Sequence, residues 1–441
     1  MLLSSPMQEW QREENTERIM LSASSDFIAR MKSFSPNARR YLLFVFLTTL
    51  NVGIYGVIFN LYILKLGFKE DFLGMILSLS SASIGVFAIP AAFICDRLGR
   101  KDTLLLSASL LSFSLLILYN TTSKELLAMF SIAYGMASAL SLVTGATFLV
   151  ENSTAYERMH LFSAYYIIYT FSTLAGNVVG GFLPSILTDL AADEPLLRAG
   201  GAIAYRLTLY VSLAATVTSL LPLSRIAEPH IREDGEMERQ IRAYRSIFLS
   251  NTVRRMVLFY CLFGIGWGTS LPYFNVYFEK QLDASASQIG LIFSLSQLVM
   301  MVGYFLVPML TEKLGKIKMA SAVQISSIPF LLVFAFAPTL PVAAFGYLAR
   351  YMLMNMAKPI LNSFKLEIVG PEQRSIINSV MWMACYSFVG IGTYAGGLMM
   401  AGGISSMPFL ITGIFYALTA ALYFAFFNKI EKNITKSYNM Q

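Results

Sequence analysis

One apolar segment, residues 341–366, combines basic, phenolic and amide side chains that could bind an anion. Its polar residues fall within an arc of about 140° on an α-helix; they are Arg350, Tyr351, Asn355, Lys358, Asn362 and Lys365. Arg350 lies nine residues into the segment, or about 14 Å along a helix axis. If the segment crosses a bilayer, a charge at that depth costs at least about 2.5–3.5 kcal/mol unless it faces a cavity or a partner.

Arg350 and Lys358 have no acidic residue at a comparable depth in any apolar segment. The nearest acids stand at segment ends, as Glu151, Glu279 and Glu367 do. One hypothesis is that the two cations face a cavity and attract an anionic or strongly polar ligand. The alternative is that they bond to backbone carbonyls, extend to the membrane surface or reach an acid at a helix end.

Aromatic and polar residues recur at helical spacing in two further segments. The first set is Asn51, Tyr55, Phe59 and Tyr62, and the second is Trp267, Ser270, Phe274 and Tyr277. Aromatic stripes at this spacing usually pack in a core. The polar members and the recurrence in both halves keep a binding role open as well.

Residues that commonly carry catalysis or bind metals are scarce and scattered. The chain has three cysteines and two histidines, without Cys-x-x-Cys or Cys/His ligand spacing. The apolar segments hold no cluster of histidines, cysteines or paired acids. We therefore predict that the protein is not an enzyme and has neither a metal site nor a cofactor.

The composition predicts a membrane protein. Of 441 residues, 56% are hydrophobic and 13% are charged, about half the charge of a soluble domain, and the mean hydropathy is +0.60. Twelve segments approach the roughly 20 apolar residues that span a bilayer; they are 41–64, 72–95, 102–120, 124–150, 158–187, 202–224, 254–278, 287–311, 317–338, 341–366, 375–401 and 406–428. Strands of a membrane barrel would be shorter and would alternate.

Basic residues predict the orientation of these segments. With the amino terminus inside, 25 lysines and arginines fall on the inner side and five on the outer side. This bias places both termini in the cytoplasm and explains the net charge of +7 without nucleic-acid binding. A polar loop, 225–253, separates six-span units 41–224 and 254–428, which lie between tails 1–40 and 429–441.

The two units repeat at an almost constant offset. Residues 59–62 (Phe-Asn-Leu-Tyr) match 274–277 (Phe-Asn-Val-Tyr) at an offset of 215. The offset then becomes 216, and it relates Gly74 to Gly290, Gly99 to Gly315, Glu151 to Glu367, Arg158 to Arg374 and Gly181 to Gly397. Parallel repeats of this kind are typical of transporters with a site between their halves.

The loop after the second span carries the most specific motif. Asp96-Arg97-Leu98-Gly99-Arg100-Lys101 resembles the Gly-x-x-x-Asp-Arg-x-Gly-Arg-Lys loop of the major facilitator superfamily, although Ala92 replaces the leading glycine. A weaker copy, Glu312-Lys313-Leu314-Gly315-Lys316, follows the eighth span. Motif, repeat and orientation agree, so the resemblance covers the whole chain.

The resemblance implies an all-α integral membrane protein whose twelve transmembrane helices form two pseudo-symmetric six-helix bundles. It also implies a secondary transporter of the plasma (inner) membrane that works by alternating access as the halves rock. In the family the loop motif acts as a cytoplasmic latch. The residues implied for that latch are Asp96, Arg97, Gly99, Arg100, Lys101, Glu151, Arg158, Glu312, Glu367 and Arg374.

Spans 1, 4, 7 and 10 line the central cavity in the family. The resemblance therefore implies these substrate-binding residues: Asn51, Tyr55, Tyr134, Trp267, Tyr273, Arg350, Tyr351, Asn355 and Lys358. Residues 176–181 (Gly-Asn-Val-Val-Gly-Gly) resemble the antiporter signature Gly-Pro-x-x-Gly-Gly, but Asn177 replaces its proline. We interpret these glycines as helix-packing residues.

The sequence is compatible with more than one class of substrate. Arg350 and Lys358 favour a small organic anion, whereas the aromatic residues and 23 methionines suit an amphipathic, drug-like solute moved outward. A lipid flippase would share the fold. The expected partners are membrane lipid, a small solute and, for a coupled mechanism, an ion.

Overall fold

The regular elements of this computed structural model are all helices within the residues it describes, 34–154, 157–190, 201–227, 247–369 and 373–438. Spans are numbered in chain order: α1 Pro36–Lys65, α2 Glu70–Leu98, α3 Arg100–Asn120, α4 Lys124–Glu151, α5 Arg158–Leu190, α6 Gly201–Thr218 with Leu220–Ser224, α7 Asn251–Ser270 with Phe274–Leu282, α8 Ala286–Leu314, α9 Lys316–Ala335, α10 Leu340–Glu367, α11 Arg374–Ala401 and α12 Met407–Tyr438. Most of the predicted amino-terminal tail and of the central loop lies outside the described residues.

The predicted twelve-helix architecture is confirmed. Eleven of the described helices are long and apolar enough to cross a membrane. The remaining one, α10, is 28 residues long and carries the polar face that includes Arg350 and Lys358. Its length matches the other spans, and its polar face lowers its hydropathy.

The ends of the bundle differ from the apolar segments read from the sequence. The first helix begins at Pro36, where the Ser35 hydroxyl accepts a hydrogen bond from the backbone N–H of Ala38 at 3.2 Å. The last helix continues to Tyr438, through most of the predicted tail 429–441. Hydropathy identifies the part of a helix that lies in the hydrocarbon core of the bilayer. The helix itself can extend past that core into water.

Glycine shapes the turns that join α2 to α3 and α8 to α9. Gly99 has φ 84° and Gly315 has φ 82°, in the left-handed region that side chains disfavour. Each turn therefore takes one residue, as the motif predicts for Gly99. The same geometry in both units follows the offset of 216.

Two glycine pairs let helices of different halves cross closely. A Cβ on Gly74 of α2 would lie 2.8 Å from Gly397 Cα of α11. A Cβ on Gly181 of α5 would lie 2.9 Å from Gly290 Cα of α8. The offset of 216 relates Gly74 to Gly290 and Gly181 to Gly397. The two pairs are therefore equivalent, and the halves contact each other at two equivalent helix crossings.

The packing differs between the two ends of the bundle. We call the end where α1 begins the tail side and the other end the opposite side. On the opposite side, one apolar core joins both halves through Phe59, Tyr119, Phe274, Phe334 and Phe409. On the tail side each half has its own core. The halves therefore share one core on the opposite side and have separate cores on the tail side.

An asparagine pair, which we call the asparagine clasp, joins α1 to α7 on the opposite side. The Asn60 amide donates to Asn275 Oδ1 at 3.0 Å and to the Pro272 carbonyl at 2.5 Å. The Asn275 amide donates to the carbonyls of Gly56 and Val57 at 3.2 and 3.0 Å. Both side chains are buried, so breaking the clasp leaves buried amide groups without partners.

Two ion pairs and a hydroxyl pair also join the two halves on the opposite side. Lys280 pairs with Glu70, and Lys65 lies 3.6 Å from Glu279. A further contact joins α5 to α8, where the hydroxyls of Ser185 and Ser287 are 3.0 Å apart. All three contacts link residues of different halves.

Replacing Asn60 with alanine should open the opposite side. The change removes the two hydrogen bonds that Asn60 donates to the other half, at about 1–3 kcal/mol in total, so the open population should rise roughly 5- to 150-fold. Spin labels at Lys69 and Gln281, exposed on that side in different halves, should report a growing long-distance component.

Asn120→Ala is the matched control, because Asn120 lies on the same side but contacts Leu116 and Tyr210 of its own half. The role of the clasp is contradicted if Asn60→Ala and the wild type give the same distance distribution.

Candidate functional site

The motif loop is organised around Arg100. Its guanidinium lies 2.9 Å from both Asp96 Oδ1 and Glu151 Oε1, and it donates to the Cys95 carbonyl at 3.1 Å. One arginine thus joins the end of α2 to the end of α4. The three contacts use the several fixed N–H donors of a guanidinium, which lysine cannot reproduce.

The second half repeats this arrangement with different residues. Lys316 pairs with Glu367 at 2.5 Å, at the positions equivalent to Arg100 and Glu151. The start of α9 is capped by Glu431, whose carboxylate accepts the N–H groups of Lys316 and Ile317. An acid at a helix amino terminus is favoured by the helix dipole.

The remaining latch residues have separate positions. Arg158 donates to the Val150 carbonyl at 3.5 Å, and Arg374 donates to that of Leu366 at 3.3 Å. Arg97 and Glu312 are exposed on the tail side, and Lys101 is half-buried. The contacts of Arg100, Lys316, Arg158 and Arg374 described above join segments of the same half, so they stabilise each bundle separately.

The two central cations of α10 have different environments. Lys358 is exposed although it lies well inside a spanning helix. Arg350 is only 2% exposed, and its Nη2 donates to the Tyr416 hydroxyl at 2.8 Å. The guanidinium carbon lies 5.0 Å from the Phe274 ring centre and 5.7 Å from that of Tyr416.

Arg350 is thus held by aromatic faces, which attract a cation through their negative quadrupole. Its Nε is buried without a hydrogen-bond partner in the described part of the chain. One hypothesis from the sequence was that Arg350 and Lys358 both face the cavity. The structure instead buries Arg350 against the shared core and leaves Lys358 accessible.

The polar neighbours on α10 and α8 form a small network. Tyr351 accepts a hydrogen bond from the Gln297 amide at 3.0 Å, and Asn355 donates to the Tyr351 carbonyl at 2.7 Å. Asn355 Oδ1 and Asn51 Oδ1 are buried without partners among the described residues. These two acceptors are available to a donor that the protein itself does not supply.

Half-buried aromatic residues surround the space between the halves. Tyr55 stacks on Tyr134 with ring centres 5.3 Å apart, and Trp267 lies 5.7 Å from Tyr386. We call this space the central chamber and define it by Tyr55, Tyr134, Tyr169, Trp267, Tyr304, Tyr351, Lys358 and Tyr386. Most of these residues lie near the middle of their helices.

Tyr273 does not line the chamber. It is fully buried in the shared core, and its hydroxyl donates to the Thr393 carbonyl. Tyr273 follows Trp267 by six residues, so the two side chains point about 120° apart even on a regular helix. The assignment of Tyr273 to the cavity is therefore wrong for this conformation.

Sequence reasoning missed Tyr169, Tyr304, Tyr386 and Gln297. They lie on α5, α8 and α11, which were not expected to line the cavity. Their sequence signal is weak, because these helices carry aromatic residues on several faces.

Comparisons with known proteins agree with this fold. The family model of the Major Facilitator Superfamily matches residues 41–393. An uncharacterized MFS-type transporter, YceJ of Bacillus subtilis (strain 168), is 23% identical over 363 residues, which cover 80% of this chain and 87% of that protein.

Solved structures share the fold at low identity. A bacterial homolog to the human lysosomal transporter Spinster, inward-facing and unoccupied, has a TM-score of 0.70 at 14% identity and covers 88% of this chain and 96% of that one. The nucleoside transporter NupG gives 0.68 at 15%, with 90% and 99% covered. A D-xylose-proton symporter gives 0.68 at 16%, with 89% and 96% covered.

Replacing Arg100 with alanine should destabilise the amino-terminal half. The variant loses contacts to two partly exposed carboxylates and one carbonyl, on the order of 1–2 kcal/mol in total. Thermal unfolding of the purified protein should show a lower Tm than the wild type.

Arg97→Ala removes an exposed charge from the same loop and should leave the Tm nearly unchanged. Equal shifts for the two variants would show that Arg100 contributes only its charge.

Proposed function

We propose that this chain, which belongs to the major facilitator superfamily, carries a small organic anion across a membrane by alternating access between its two halves. The observation that carries the proposal is the charge pattern of α10. Lys358 is exposed within a spanning helix, and no described carboxylate pairs with it or with Arg350. An accessible cation in a low-dielectric space favours an anionic ligand.

The conformation supports a simple transport cycle. The halves are packed on the opposite side and separated on the tail side, so a solute reaches Lys358 from the tail side. An anion bound there offsets the cost of enclosing the lysine charge. The halves then rock about the crossings of Gly74 with Gly397 and of Gly181 with Gly290, and the asparagine clasp opens.

Arg350 contributes to this site from a position on α10 that is closer to the opposite side than Lys358. It is fixed by Tyr416 and Phe274, and it precedes Lys358 by eight residues on α10, or about 12 Å along the helix axis, so the two like charges repel each other. A bound anion relieves that repulsion, so Arg350 adds long-range attraction without direct contact in this conformation.

The proposed location is the plasma (inner) membrane with both termini in the cytoplasm. The support is the excess of 25 inner over five outer basic residues. In this orientation the tail side faces the cytoplasm, and the described conformation is open inward.

The proposed energetics are uniport or anion exchange. The buried acid Glu70 lies at the start of α2 and is already paired with Lys280. Proton-coupled carriers usually hold a carboxylate deep in the membrane. Coupling to protons would here depend on an acid at a helix end or on the solute itself.

A second candidate is export of amphipathic, drug-like compounds. The aromatic side chains of the central chamber favour it, because such surfaces bind apolar solutes of varied shape. Tight binding of lipophilic cations would support this candidate and contradict anion transport, since Lys358 repels a cation.

Lys358→Ala should weaken anion binding at least about tenfold, because a hydrogen bond to a charged group contributes roughly 1.5–3 kcal/mol. The measurement is thermal shift of the purified protein against mono-, di- and tricarboxylates and phosphate esters, followed by counterflow of the best anion in proteoliposomes. Arg350→Ala should also abolish transport while the protein still reaches the membrane.

Lys318→Ala is the control, since Lys318 carries the same charge but is exposed at the tail-side start of α9, away from the chamber. The proposal fails if Lys358→Ala binds and transports anions as the wild type does.

A further inference from the structure

The amino-terminal half presents a flat aromatic wall to the central chamber. The Tyr55 ring is nearly parallel to Phe59, at 4.1 Å and 13°, and to Tyr134, at 5.3 Å and 12°. Phe59 is fully buried in the shared core, whereas Tyr55 and Tyr134 are partly exposed. The stack is thus anchored at one end and accessible at the other.

The carboxy-terminal half presents a second wall built on Tyr386. Its ring centre lies 5.7 Å from Trp267 and 5.5 Å from Trp382. Phe263 extends the wall and stacks on Tyr416 at 5.8 Å and 14°. Tyr386, Trp267, Trp382 and Phe263 are all partly exposed.

The two walls approach each other across the chamber. A Cβ on Gly85 of α2 would clash with Ser387, which follows Tyr386, and one on Gly135, which follows Tyr134, would clash with Ser80 of the same helix α2. The helices that carry Tyr304 and Tyr169 are also in contact, since the Ser294 hydroxyl donates to the Leu174 carbonyl at 3.3 Å. The hydroxyls of these four tyrosines have no hydrogen-bond partner within the described residues, so they can bind a polar group of a ligand.

The accessible cation lies beside the second wall. The neighbours of Lys358 on α10, Ala357 and Ile360, pack in the same apolar core as Cys385, the residue that precedes Tyr386 on α11. The chamber therefore combines aromatic faces from both halves with one exposed ammonium group. Its described lining residues include no carboxylate.

We propose that the substrate is a planar aromatic acid, whose ring lies between the Tyr134 and Tyr386 walls and whose carboxylate pairs with Lys358. This inference rests on the proposed anion transport and narrows it to a substrate class. Aromatic pairs gain affinity beyond the area they bury, and an alicyclic acid of equal charge loses that gain. Because each wall belongs to a different half, a bound ring also draws the halves together.

The test compares probes that differ in one property. Benzoate and cyclohexanecarboxylate share charge and approximate size but differ in aromaticity, whereas benzylammonium keeps the ring and reverses the charge. Naphthalene-2-carboxylate enlarges the ring. Affinities are measured on the purified full chain by thermal shift and by quenching of tryptophan fluorescence, since Trp267 and Trp382 lie in or beside the chamber.

Benzoate should bind about three- to tenfold more tightly than cyclohexanecarboxylate, and naphthalene-2-carboxylate more tightly still. Benzylammonium should bind at least about tenfold more weakly than benzoate. Lys358→Met should lower the affinity for both carboxylates while keeping the ratio between them.

Two variants of Tyr386 on α11 distinguish the contribution of its aromatic ring from that of its hydroxyl. Tyr386→Leu should lower the ratio of benzoate to cyclohexanecarboxylate affinity at least about twofold, because only the Tyr134 wall then remains, whereas Tyr386→Phe should retain the wild-type ratio. Tyr394→Leu is the matched control, because Tyr394 lies on the same helix but borders a cleft with Phe72 and Lys124 on the opposite side. Thermal unfolding without ligand verifies that each variant folds.

The outcomes separate the two proposals. Equal, Lys358-dependent binding of benzoate and cyclohexanecarboxylate overturns the aromatic-acid inference and leaves anion transport standing. Binding of benzylammonium as tight as that of benzoate overturns anion transport itself. Failure of benzoate and naphthalene-2-carboxylate to bind the folded protein also overturns the inference.

Discussion

Two buried asparagine side chains, Asn60 and Asn275, hold the halves of this protein together on one side of the membrane. The Asn60 amide donates to Asn275, and both amides donate to backbone carbonyls of the other half in an apolar core, where an unpaired amide is costly. This closure leaves the tail side as the separated end of the bundle. The proposed access of a solute to Lys358 from that side depends on this closure.

The repeat explains the scaffold, and departures from the repeat explain the site. Gly99 and Gly315 form equivalent turns, and the ion pairs of Arg100 and Lys316 occupy equivalent positions. The chamber breaks this symmetry. At the offset of 216, Arg350 corresponds to Tyr134, and Lys358 corresponds to Leu142. One half thus contributes an uncharged aromatic wall and the other contributes the charge.

Helix α10 shows what helical periodicity predicts about side chains and what it does not. Its polar residues share an arc, as the sequence predicts, yet Arg350 and Lys358 differ completely in exposure. The arc gives the direction of a side chain from its own axis. It does not show that α7 and α12 bring Phe274 and Tyr416 against the guanidinium. Tyr273 was expected in the cavity from the family resemblance alone, and six residues after Trp267 it lies about 120° from that side chain around a helix.

The sequence alone determined the twelve spans, their division into two related sets and the family, because the bilayer requires long apolar helices and the repeat is a property of residue order. It also identified Lys358 as a cation without an acid at its depth. Only the tertiary structure decided which side is closed, that Arg350 is covered by aromatic rings and that Tyr169, Tyr304 and Tyr386 meet in the chamber. These facts depend on contacts between helices distant in sequence, and such contacts leave no local pattern in the chain.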